Sequence, residues 1–141
     1  MSSTSETILS QQTHPGDSVE ETVTGDKFKG DGYYGRSDGL HTIQVDLEGF
    51  VGTIEIQGTL EIDPGSTDWF SVELESSGTS TIGFVDTTGA ITTRSPTISS
   101  ITYTDSQTSV NNYNFTGNYV WVRAHISYWT DGTVNSVLLN H

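Results

Sequence analysis

Apolar residues recur at every second position through most of this chain, and that spacing constrains its fold more than any other feature. His41, Ile43, Val45 and Leu47 fall on one side, with Thr42, Gln44 and Asp46 on the other. The pattern resumes with Ile54, Ile56, Leu60 and Ile62 against Thr53, Glu55, Gln57 and Glu61, and again with Phe70, Val72 and Leu74 against Trp69, Ser71 and Glu73. It is strongest in NYVWVRAHISYW, residues 118–129, where Val120, Val122, Ala124, Ile126 and Tyr128 share one face and Tyr119, Trp121, Arg123, His125 and Ser127 the other. Period two belongs to strands with one buried side, and no segment carries the three-to-four spacing of a helix. Turn residues separate the runs: Gly49 and Gly52, DPGSTD at 63–68, ESSGTS at 75–80, DTTGA at 86–90, then a loop marked by Asn111, Asn112, Asn114 and Gly117. Pro96 marks an edge or loop, and Asp131-Gly132 a hairpin turn from which VNSVLLNH returns as the last strand. About eight strands at intervals of about ten residues predict an all-β antiparallel β-sandwich, with a jelly roll as one form of it.

Residues 1–32 lack this pattern. Ser, Thr, Glu, Gln and Gly dominate, and Ile8, Leu9, Val19, Val23 and Phe28 are scattered. Such a stretch buries too little apolar surface to offset its own chain entropy. The expectation is an extended N-terminal arm over 1–32 and a β-sandwich domain over 33–141, with Ile8, Leu9, Val23 and Phe28 of the arm and Tyr33, Tyr34 and Arg36 of the junction as candidate partner contacts. The junction GDGYYGRSDG reads as a hinge: its glycines free the backbone, Tyr33 and Tyr34 cap the sandwich, and Arg36 forms a turn pair with Asp38.

The charge narrows the partners. Five basic residues stand against 18 acidic ones, a formal net charge of −13. Phosphate backbones and anionic membrane surfaces are repelled by such a chain, so neither nucleic acid nor membrane is expected. No apolar stretch is long enough to span a bilayer, and MSSTSETILSQQ lacks the basic start and apolar centre of a signal peptide. There is no cysteine.

Catalytic and metal chemistry find little support. No G-x-S-x-G occurs, and His14, His41, His125 and His141 are far apart in sequence, without H-x-H or H-x-x-x-H spacing. The acidic turns IDPGSTD and YWTDG offer oxygen atoms for calcium, but without EF-hand spacing. No enzyme activity, cofactor or metal is expected. Trp69, Trp121 and Trp129 are candidate sugar platforms, against the commoner use of a strand aromatic in packing. Tyr119, Trp121, Arg123 and His125 form a candidate interface face, since both sides of their strand are bulky. A buried Arg123 there needs a carboxylate or carbonyl partner.

Three elements carry a family resemblance: Gly-x-h-Gly-Thr-Ile-x-Ile-Gln-Gly-Thr-Leu at 49–60 (h apolar), Asp-Trp-Phe at 68–70 after a proline turn, and Thr-Gly-x-Tyr-Val-Trp-Val-Arg at 116–123 before Thr-x-Gly-Thr. Over residues 33–141 the chain resembles small virion structural proteins of tailed bacteriophages, notably those infecting cyanobacteria. The resemblance implies a β-sandwich building part of a virus particle. Its most direct reading is a capsid decoration, or cement, protein on the capsid exterior, assembled in the host cytoplasm. It would bind the major capsid protein and its own copies as a homotrimer or dimer. The alternatives are a tail, neck, baseplate or fibre component that binds a receptor or glycan, or a free carbohydrate-binding module.

Overall fold

The structure, a computed structural model, describes residues 5–36, 38–76, 82–85, 89, 91–94 and 97–141. In chain order the strands are β1 (Glu6–Leu9), β2 (Gln12–Thr13), β3 (Glu21–Thr24), β4 (Phe28–Lys29), β5 (Leu40–Thr59), β6 (Phe70–Ser71), β7 (Leu74–Ser76), β8 (Ile82–Val85), β9 (Ile91–Arg94), β10 (Thr97–Ile98), β11 (Ile101–Thr116) and β12 (Trp121–Asn140). No helix occurs among the described residues, so the all-β class is as expected. β8 and β9 pair only with each other, and the other strands join in one antiparallel sheet.

Three long strands build the body. β5 lies between β12 and β11. β12 pairs with it from Trp121↔Thr59 to Asn140↔Thr42, and β11 from Ile101↔Ile54 to Thr116↔Leu40. In β5 the buried apolar positions are odd from Ile43 to Leu47 and even from Phe50 to Ile56. Gly49, at φ 64°, sits at the switch. One extra residue in a strand turns every later side chain to the opposite face, so this bulge keeps the apolar row inward. β12 switches in the same way at Tyr128 (φ 49°) and Gly132 (φ 87°). The two bulges meet: a Cβ on Gly132 would lie 2.1 Å from the Gly49 carbonyl oxygen.

At these bulges the sheet doubles over. β6 pairs with β5 at Gln57 and Gly58, while β7 pairs with β11 at Tyr113 and Asn114, which lie beside Ile43 and Thr42. Along a straight strand, positions 57 and 42 are about 50 Å apart. The chain between Ser71 and Glu75 spans at most about 14 Å. The two limbs therefore face each other, and a single apolar cluster draws Ile43, Val45 and Leu139 from one limb and Ile54, Ile56, Val122 and Ile126 from the other. That is the expected sandwich, made by folding long strands rather than by joining short ones.

Several local expectations are corrected. Residues 40–59 form one strand, and Leu60 and Ile62 lie beyond it, exposed. Asp131-Gly132 is a bulge inside β12 and makes no hairpin. The bulge at Tyr128 turns that ring outward and Trp129 inward, the reverse of unbroken alternation. Asn111, Asn112 and Asn114 belong to β11, not to a loop. Pro96 and most of the ESSGTS and DTTGA turns lie outside the described residues.

Residues 6–29 are extended, as an arm would be, but they lie along the body. β1 to β4 run antiparallel beside β12, from Glu6↔Leu139 through Thr13↔Thr133 and Val23↔Ile126 to Phe28↔Val122. Ile8 and Leu9 are in the core, with Val23 and Phe28 packed against it. This corrects the expectation of a stretch ordered only by a partner. The reason is that β12 presents a long row of backbone donors and acceptors, and backbone pairing needs no apolar periodicity in the strand that satisfies it.

Candidate functional site

The junction 30–41 is a locked corner. Gly30 and Gly32 donate to the carbonyls of Val120 and Tyr119, at 2.9 Å each. A Cβ would lie 2.4 Å from the Tyr119 oxygen at Gly30 and 2.1 Å from the Asn118 oxygen at Gly32, so these glycines allow close approach and are not a hinge. The approach buries Asp31 against His41 and His141. His141 Nδ1 donates to Asp31 Oδ1 at 2.5 Å, and Arg36 reaches the same oxygen at 3.4 Å. Arg36 is thus partnered with Asp31, where a pair with Asp38 had been expected. Burial alone would raise the Asp31 pKa. The hydrogen bond from His141 leads the opposing effects, which outweigh burial and hold the carboxyl below its ordinary value.

His41 stacks on Phe115 with ring centroids 4.6 Å apart. Its Nδ1 donates to the Gly39 carbonyl at 2.7 Å, and its Nε2 accepts the Asp31 backbone N–H at 3.2 Å. Burial lowers its pKa, against the pull of the Gly39 carbonyl and Asp31, so the ring is neutral. Asp31, His41 and His141 lie close enough to share a cation, as do His14, Asp17 and Glu21. The chemistry of each first histidine argues otherwise. His14 Nδ1 accepts the Gly16 N–H at 2.9 Å and its Nε2 donates to the Val19 carbonyl at 2.7 Å. A neutral imidazole has one lone pair, and in both rings it is spent on a backbone N–H. These histidines staple loops, and a metal would have to break that staple.

The more open chemistry lies on the outer face of the limb formed by β3, β4, the first half of β12, the second half of β5, and β6. Trp121, Arg123 and His125 project there, alternating with fully buried Val122, Ala124 and Ile126. Arg123 Nε donates to Gln57 Oε1 at 2.7 Å, and its guanidinium lies 4.1 Å from the Trp69 ring centroid. Its partners are therefore an amide and a ring, with burial lowering its pKa and the charge of Glu55 opposing that. Lys27 lies over Trp121 at 4.6 Å, Lys29 over Tyr33 at 4.6 Å, and Arg36 over Tyr34 at 4.7 Å. Among the described side chains, four basic residues of an acidic chain thus sit on aromatic rings. Tyr33 and Trp121 are in contact at 5.1 Å, joining the corner to the face.

The expected site residues are divided by this geometry. Trp121, Arg123 and His125 share the outer row, and Tyr33, Tyr34 and Arg36 flank it. Tyr119 leaves the row: its ring lies over Gly58 and Gly117 and meets Phe70, Phe115 and His41. Burial, then the charge of Glu73, pushes its hydroxyl pKa up. Ile8 and Leu9 serve this chain's own core, and Trp129 is buried beside Phe50 and His14, so it is no platform. Lys27, Lys29, Trp69 as a stacking partner and Asp31 escaped the sequence reading. The scarcity of Lys and Arg beside a Tyr-Tyr pair was the signal present for them.

No protein-family model matches the chain, and no curated protein does. Among solved structures, the crystal structure of the SPBc2 prophage-derived protein YomS is similar in fold, with a TM-score of 0.53 over 96% of this chain and 88% of that one, at 13% identity.

Proposed function

We propose that this chain is a non-enzymatic structural protein of a bacteriophage particle, a capsid decoration protein that seats its basic–aromatic outer face on the assembled shell. The observation that carries the reading is the concentration of Lys27, Lys29, Arg36 and Arg123 over aromatic rings in a chain of net charge −13. A shell surface with acidic and apolar contacts is complementary to that face. The acidic remainder keeps copies soluble and directs which side docks. The motif resemblance and the fold shared with a prophage-derived protein support the viral context. A decoration protein binds the assembled state and not the free subunit, and it stabilises the shell by mass action across many copies.

Co-sedimentation of the purified chain with assembled shells and with free major capsid protein tests the reading. The expected result is saturable binding to shells alone, weakened at least about tenfold by Trp121→Ala or by Arg123→Glu. Equal binding of wild type and both variants, or no binding to any shell preparation, removes it.

A further inference from the structure

Beside the basic–aromatic patch, on the same outer face, β3, β12 and β5 enclose an open groove of about 570 Å³. Every side chain lining it carries a hydroxyl, a carboxylate or an imidazole. His125 and Glu55 face each other across the β12–β5 pair, as do Ser127 and Thr53. Three of these four groups are held in place by neighbours. Glu55 accepts from Gln57 at 2.9 Å and from Ser71 at 2.6 Å, His125 pairs with Thr24 at 3.0 Å, and Thr53 with Thr102 at 3.0 Å. Side chains already fixed lose little freedom when a ligand arrives.

At the rim stands Tyr128, 65% exposed, with a backbone φ of 49°. The bulge requires a left-handed residue at this point to return Trp129 to the core. Glycine or asparagine meets that requirement with less strain than an aromatic does. The tyrosine ring stays mostly in solvent, so burial offsets only part of that strain. A strained, exposed ring beside a pre-set polar groove fits a use outside the fold.

We propose that this groove is a saccharide-binding site for a neutral glycan. The Tyr128 ring would stack on a sugar face, and Glu55, His125, Ser127 and Thr53 would exchange hydrogen bonds with its hydroxyls. No Leu, Ile, Val or Met lines the groove, as a site for a lipid or apolar peptide would require. Glu20 and Glu55 disfavour phosphorylated or sialylated ligands. The site stands apart from shell docking: it is tested with free sugars and no particle, so its failure leaves the docking reading untouched.

The probes are N-acetylglucosamine trimer, maltotetraose and cellotetraose, with a sialylated trisaccharide as the anionic control, titrated into the full chain by calorimetry. At least one neutral probe binds saturably with a Kd of about 1 mM or tighter. Tyr128→Asn and Tyr128→Gly weaken that binding at least tenfold while the melting temperature stays level or rises, because the strain is relieved. Glu55→Gln also weakens it. No saturable binding by any neutral probe, unchanged binding in Tyr128→Asn, or preference for the sialylated probe overturns the proposal.

Discussion

At position 41 a histidine occupies a fully buried site in a row otherwise filled by Ile43, Val45 and Leu47. Alternation assigned it correctly to the inner face, but its task depends on residues ten positions upstream and one hundred downstream. Its pKa is lowered by burial, so the unfolded chain takes up a proton near the ordinary value of 6.5 while the folded chain does not. The unfolded state then binds more protons, and stability falls as pH drops below about 6.5. Asp31 adds loss of the same sign further down, as pH falls below its ordinary 3.8, because its folded pKa is also depressed. Melting curves from pH 8 to 5 should fall more steeply for wild type than for His41→Gln, and the difference between the two slopes is the contribution of this ring. Gly132 makes a second residue-scale case. Ala there would be strained by φ 87° and pressed against Gly49, so Gly132→Ala should cost at least about 1–2 kcal/mol by urea denaturation.

Among the elements, β1 to β4 behave as one interrupted edge strand covering β12. Each is too short to be stable alone, and their composition reads as disordered. What holds them is the ladder to β12 and a few anchors, of which Ile8 is the most deeply buried. Ile8→Ala should cost about 2–5 kcal/mol of unfolding free energy, the usual range for truncation at a buried site. Removing residues 1–28 should destabilise the body and expose the β12 edge to intermolecular pairing, seen as aggregation in light scattering. A truncated chain that stays monomeric with an unchanged melting temperature would return these strands to the status of a detachable arm. The alternating runs of β5 and β12 were readable because each half has one buried side. Their continuity was not, since a glycine bulge and a turn have the same composition.

For the whole molecule, one sheet doubled at aligned bulges gives a two-layer body with one outer face unlike the rest of the surface. Trp121, Arg123 and His125 were recoverable as a row because they alternate with Val122, Ala124 and Ile126. Lys27 and Trp69 were not, because they reach that row from just ahead of β4 and of β6, across gaps of about 50 to about 95 residues in sequence. Alternation, turn residues and the charge imbalance were sufficient by themselves to determine an antiparallel all-β fold with an acidic surface, because burial of one strand side is a local property of the pattern. Where the strands fold over, which tyrosine or tryptophan faces water, and the docking of residues 6–29 onto β12 were decided only in three dimensions. Each depends on a one-residue shift or a backbone pairing, and neither changes the local composition.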